Sequence, residues 1–137
     1  MLLRELFDKP VPYEWTTTDD ETWNAEFDIG PVHYEFIALV SNPYPDEDEE
    51  VEVEIEFFHR TERGVPTHKV TGVGNEHILF ATVVSIMRDV ITNMKPDTII
   101  YSAAEPNRAR LYKRMISRLL PTAKTVHYNN KNFVSLK

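Results

Sequence analysis

Apolar and polar residues alternate most regularly in Val51, Glu52, Val53, Glu54, Ile55, Glu56 and Phe57. A period of two puts the apolar side chains on one face of a strand and the carboxylates on the other. A weaker alternation over 23–27, a turn at Asp28, Ile29, Gly30 and Pro31, and an apolar run over 32–40 predict a two-stranded hairpin. Further along, the period changes. Leu79, Val83, Ile86, Met87, Val90, Ile91 and Met94 recur three and four residues apart. That is one stripe of a helix over 75–94, with Asn75 as its N-cap and Pro96 beyond its end. Residues 98–103 form a nearly continuous apolar run, of the kind a strand buried on both faces shows. A second helix follows from Asn107, as its cap, to Leu120, with Leu111, Tyr112, Met115, Ile116, Leu119 and Leu120 inward and Pro121 closing it. Short strands over 125–128 and 133–136, split at Asn129 and Asn130, end the chain, and another is expected over 68–71.

Antiparallel hairpins come first, and helices join neighbouring strands later, which implies parallel pairing there. The fold class is therefore α/β (α+β): a mixed, mostly antiparallel sheet with helices packed on it. The length of 137 residues fits one domain over 1–137. Residues 1–22 carry no clear pattern beyond Leu2, Leu3 and Leu6, which could open a short helix ended by Pro10 and Pro12. Residues 42–50 hold two prolines and five consecutive carboxylates, Asp46 to Glu50, and read as a solvated acidic loop.

The absence of cysteine removes disulfides, thiolate zinc sites and cysteine nucleophiles together. It fits a cytoplasmic location. No apolar run approaches the roughly 20 residues of a spanning helix, so no membrane partner is expected. The histidines have no metal-ligand spacing, and no G-x-S-x-G motif is present. The net charge of −7 is unevenly distributed. Residues 1–68 carry 18 acidic and 4 basic side chains, a net of −14, whereas residues 69–137 carry 4 acidic and 11 basic ones, a net of +7. The second half can hold an anion, while the overall charge argues against nucleic acid as a partner.

The segment Lys69, Val70, Thr71, Gly72, Val73, Gly74, Asn75, Glu76 joins an expected strand to an expected helix. Its glycines allow a sharp turn and a close approach of ligand to backbone. The first N–H groups of the helix lack internal partners and favour an anion. Neither a Walker lysine nor a third dinucleotide-binding glycine follows. The segment resembles the acyl-CoA pyrophosphate loop of the GNAT (GCN5-related N-acetyltransferase) family, R/Q-x-x-G-x-G/A, with Lys69, Gly72 and Gly74 at its three marked positions. The amphipathic helix, the apolar strand and the helix bearing Leu111 and Tyr112 continue the resemblance over roughly 51–120. Asn107 and Ala109 stand for the family's Asn and Ala before Leu-Tyr, more closely spaced than usual, and its closing Gly-Phe is replaced by 116–121.

The resemblance implies an acyl-CoA-dependent N-acyltransferase using acetyl-CoA and an amine acceptor that the sequence does not name. The pyrophosphate would meet Lys69, Thr71, Gly72, Val73, Gly74, Asn75 and Glu76, with Asn107 and Arg108 also on the cofactor and Arg110 or Lys113 as alternative phosphate contacts. The thioester carbonyl would lie in a splay between two strands, polarised by a backbone N–H. Tyr112 would protonate the leaving thiolate. Glu56, with Glu54 and His59 as alternatives, would accept the amine proton. Residues 71–75, 80–82 and 102–108 with Leu111 and Tyr112 also resemble small tailed-phage proteins, which would place the chain in a host cytoplasm. The alternative function is a catalytically inactive scaffold that binds or inhibits a host protein through its acidic half.

Overall fold

The computed structural model describes residues 10–42, 46–60, 66–67 and 76–136. Ten elements follow in order: β1 (Glu14–Thr18), β2 (Thr22–Ile29), β3 (Val32–Val40), β4 (Glu52–Arg60), β5 (Pro66–Thr67), α1 (Glu76–Met94), β6 (Thr98–Ser102), α2 (Pro106–Leu119), β7 (Lys124–Tyr128) and β8 (Lys131–Ser135). The strands form one mixed sheet in the order β1-β2-β3-β4-β6-β8-β7, with β5 paired to β4 off this path. Only β4 and β6 run parallel; the other neighbours are antiparallel. The fold is thus α+β, with a mostly antiparallel mixed sheet and two helices packed on it.

Local sequence explains the turns. Between β2 and β3, Gly30 takes a left-handed φ of 58° with no Cβ to oppose it. Between β7 and β8, Asn129 and Asn130 both have positive φ, 51° and 64°, as a two-residue type I′ hairpin requires. After α1, Lys95 turns left-handed and donates its N–H to Ile91 O at 3.0 Å, and Pro96 bars continuation.

Directly opposed residues in a sheet share a face, so the register sorts the side chains. Ala25, Phe27, Tyr34, Phe36, Ala38, Val53, Ile55, Phe57, Ile99, Tyr101 and Val134 belong to one set. They bury themselves with Leu79, Val83, Ile86, Met87 and Val90 of α1 and with Leu111, Tyr112, Met115 and Ile116 of α2 in a single core. The crossovers from β4 to β6 and from β6 to β7 both join parallel strands and move the same way along the sheet, so the usual right-handed sense puts both helices on one face. The residues before β1 fasten to α1 as well: Val11 N–H donates to Thr82 Oγ1 at 3.0 Å, and the Tyr13 hydroxyl donates to Asp89. The opposite face carries Glu26, Asp28, His33, Leu39, Glu52, Glu54 and Glu56 together with Ile37, Phe58 and the buried Glu35 and Ile100, and among the described residues no helix packs on it.

Two expectations are corrected. Residues 14–18 are a strand, paired to β2 through an irregularity between Trp15 and Thr17. The second helix is capped by Glu105, not Asn107. The Glu105 carboxylate accepts the N–H groups of Asn107 and Arg108 at 3.2 and 2.9 Å, and Pro106 stands at the first helical position. Leu119 and Leu120 pack inward against the core as expected, partly buried. The expected helix at Leu2, Leu3 and Leu6, the strand over 68–71 and the cap at Asn75 lie outside the described residues.

Candidate functional site

The parallel pair β4–β6 is short. Glu52, Val53 and Glu54 stand opposite Thr98, Ile99 and Ile100, and there the ladder ends. At its other end β4 meets β5 through His59 and Arg60. Between these ladders, among the described residues, no strand pairs with this edge of β4, and Phe57 lies in that interval. Buried peptide groups need partners. Side chains from α2 supply them: the Phe57 N–H donates to the Tyr112 hydroxyl at 2.9 Å, and Arg108 Nη1 donates to Phe57 O at 3.4 Å.

Both side chains reach this gap because α2 starts at the carboxyl end of β6 and runs back over the sheet. Arg108 and Tyr112 are four residues apart, one helical turn, and so share a face. Tyr112 is 1% exposed and Arg108 is 6% exposed. The Tyr112 ring packs edge-on against Phe57, with centroids 5.5 Å apart, and tilts against Tyr101 at 5.2 Å. Burial pushes the Tyr112 hydroxyl well above the ordinary tyrosine range; the nearby Arg108 and the Phe57 N–H pull it down less, and Glu56 and Glu105 push it up. The hydroxyl therefore stays protonated at neutral pH and yields its proton less readily than a free tyrosine.

Glu56 is exposed and follows the alternation onto the face opposite the helices, one residue from Phe57. The structure thus brings Tyr112, Arg108 and Glu56 together around one peptide group, with Tyr112 on the helix side and Glu56 on the other. Glu54 is engaged by Lys131 Nζ at 2.9 Å. His59 is 8% exposed, beside the Tyr34 ring, and its Nε2 is buried without a hydrogen-bond partner among the described residues. Asn107 is exposed and accepts Arg110 Nη2 at 2.6 Å. Glu76 is the first residue of α1. Lys69, Thr71, Gly72, Val73, Gly74 and Asn75 lie outside the described residues.

The basic side chains of α2 do not form one stripe. Arg108 fills the gap, Arg114 and Arg118 lie over the Phe80 ring of α1 at 4.7 and 5.9 Å, and Arg110 and Lys113 face a pocket beside β7 and β8. Sequence reasoning had Arg108 on a phosphate. The signal it lacked was Phe57, 51 positions earlier.

No family model matches the chain. Neither the curated proteins nor the solved structures yield a match to it. The geometry stands on its own. Among the described residues no helix is long and apolar enough to cross a membrane.

Proposed function

We propose that the chain is an acyl-CoA-dependent N-acyltransferase of the GNAT type, working at the gap between β4 and β6. One observation carries the reading: β4 and β6 part after three paired residues, and the Phe57 N–H, directed into the opening, is bonded to an oxygen of a side chain and not to a strand. A buried N–H that already accommodates a lone oxygen is a natural donor to a carbonyl oxygen on which charge develops. An opening of this kind would serve as the splay that the resemblance at Lys69, Gly72, Gly74 and Tyr112 implies.

Acetyl-CoA, when bound, supplies an activated acyl thioester. The residues of the chain do the rest. The Phe57 N–H would hold the thioester carbonyl oxygen in place of the Tyr112 hydroxyl. Tyr112, protonated at neutral pH, would offer its proton as a hydrogen bond to the thioester sulfur. Glu56, on the opposite side of the sheet, takes the proton of the incoming amine, directly or through water. The carboxylates along the face opposite the helices favour an amine that arrives as a cation.

A second observation favours the alternative, an inactive scaffold that binds a host protein through its acidic half. The gap is filled by Arg108 and Tyr112, both almost fully buried, and the face opposite the helices beside it is acidic. The readings separate in one assay. Release of free CoA thiol from acetyl-CoA is followed with a panel of primary amines and of lysine-containing peptides. The acyltransferase reading expects amine-dependent thiol release that falls at least about a hundredfold in Glu56→Gln, within the usual worth of a general base. Thiol release no faster than without protein, for every amine, discards it in favour of the scaffold.

A further inference from the structure

The pocket beside α2 is separate from the gap. It is a cavity of about 340 Å³ lined by Tyr101, Ala109, Arg110, Lys113, Thr125, His127 and Asn132. That volume is at the lower end of the range for small-molecule sites. Its walls come from three elements whose register places them on the helix side of the sheet. Tyr101, Asn132 and His127 are directly opposed across β6, β8 and β7. The first half of α2 overhangs them with Arg110 and Lys113, three residues apart on one helical face.

The charge of the lining is unlike that of the chain. The protein as a whole carries −7, but this pocket holds two cations, an imidazole and no carboxylate. Arg110 is oriented by its bond to Asn107 Oδ1 at 2.6 Å, and His127 Nδ1 lies 3.1 Å from Asn132 Oδ1. In neutral form the imidazole then carries its hydrogen on Nδ1, since the amide oxygen can only accept. Tyr101 forms a fixed wall of the pocket: it is 3% exposed and its ring is held against Tyr112, with centroids 5.2 Å apart.

We propose that this pocket binds a small phosphomonoester, its phosphate held by Arg110 and Lys113 with the Tyr101 hydroxyl as a further donor. Two converging cations suit a dianion. The Tyr101 ring and Ala109 offer an apolar wall to the esterified group, and the volume exceeds what a bare phosphate needs. The proposal stands on this pocket alone and is independent of the reading of the gap.

The test uses the whole chain and phenyl phosphate, with inorganic phosphate as the second probe, followed by side-chain NMR of His127 and Tyr101. Neither probe contains CoA, so failure here leaves the acyltransferase reading where it was. The expected result is saturable shifts of both residues with phenyl phosphate, with a dissociation constant near or below about 1 mM. Binding weakens at least about tenfold in the double variant Arg110→Glu, Lys113→Glu, as charge reversal at two contacts implies. It persists in Arg88→Glu, Lys95→Glu, which changes net charge equally at exposed sites of α1 and its end. Absence of saturable shifts overturns the proposal, and so does equal weakening in both variants. Equal affinity for inorganic phosphate and phenyl phosphate overturns the assignment of an ester.

Discussion

Tyr112→Phe deletes one oxygen and leaves the ring contacts to Phe57 and Tyr101 in place. The loss falls on the Phe57 N–H, whose acceptor lies 2.9 Å away on a side chain that is 1% exposed. A buried donor stripped of its only acceptor costs about 1–3 kcal/mol. For a domain of this size that corresponds to roughly 3–10 °C in Tm. Urea unfolding should therefore show a lower midpoint at unchanged slope, and amide exchange at Phe57 should quicken. The same hydroxyl adds an alkaline signature. Its pKa is raised in the folded state, so above the ordinary value of 10.0 the unfolded chain binds fewer protons than the native one. Stability is then intact below about pH 10 and falls as pH rises further, by up to about 1.4 kcal/mol per unit for one such group. Tyr13 and Tyr101, also raised, contribute in the same direction, so the slope in Tyr112→Phe should be shallower but not flat. A variant within about 0.5 kcal/mol of wild type at neutral pH, with a parallel alkaline slope, would refute the bonded and buried hydroxyl.

Arg108→Met should cost about 1–3 kcal/mol, because the Phe57 carbonyl loses a buried donor, and the loss should overlap with that of Tyr112→Phe when the two are combined in urea unfolding. Glu105→Ala should lower stability by about 1 kcal/mol as a lost helix cap, whereas Asn107→Ala should be nearly neutral; equal effects would return the cap to Asn107. His33 is held protonated to higher pH chiefly by its bond to Asp28 at 2.7 Å. That contribution is complete below the ordinary histidine range and is lost as pH rises through the raised value. Thermal midpoints of wild type should thus fall by a few tenths of a kcal/mol equivalent over that window, and Asp28→Asn should flatten the decline.

Much of the sheet was legible because its strands alternate against one covered face. The run Val51 to Phe57 names its inward and outward sides without ambiguity, and the run at 98–102, buried over 99–101, reads as the interior strand it is. The helices were legible from their stripes. β1 was not, since Glu14, Trp15, Thr16, Thr17 and Thr18 offer a single large apolar side chain. Pairing with β2, and not local pattern, makes it a strand. The cap of α2 was misplaced because Asn is a favoured capping residue, yet Pro106 at the first helical position pointed to Glu105. The gap itself could not be read. It depends on where the parallel ladder stops, and its contacts span 55 positions from Phe57 to Tyr112 and 51 to Arg108. Glu56 and Tyr112 were both singled out from sequence, but only the sheet puts one on each side of the same peptide.

On the proposed reading, the opening between β4 and β6 receives an acyl thioester at the Phe57 N–H. Calorimetric titration of the intact protein with acetyl-CoA, with amide exchange at Phe57 read on the same samples, tests it most directly. A carbonyl replacing the Tyr112 hydroxyl predicts micromolar binding together with altered exchange at Phe57. No heat at millimolar acetyl-CoA, with Phe57 exchanging as in the free protein, would contradict it.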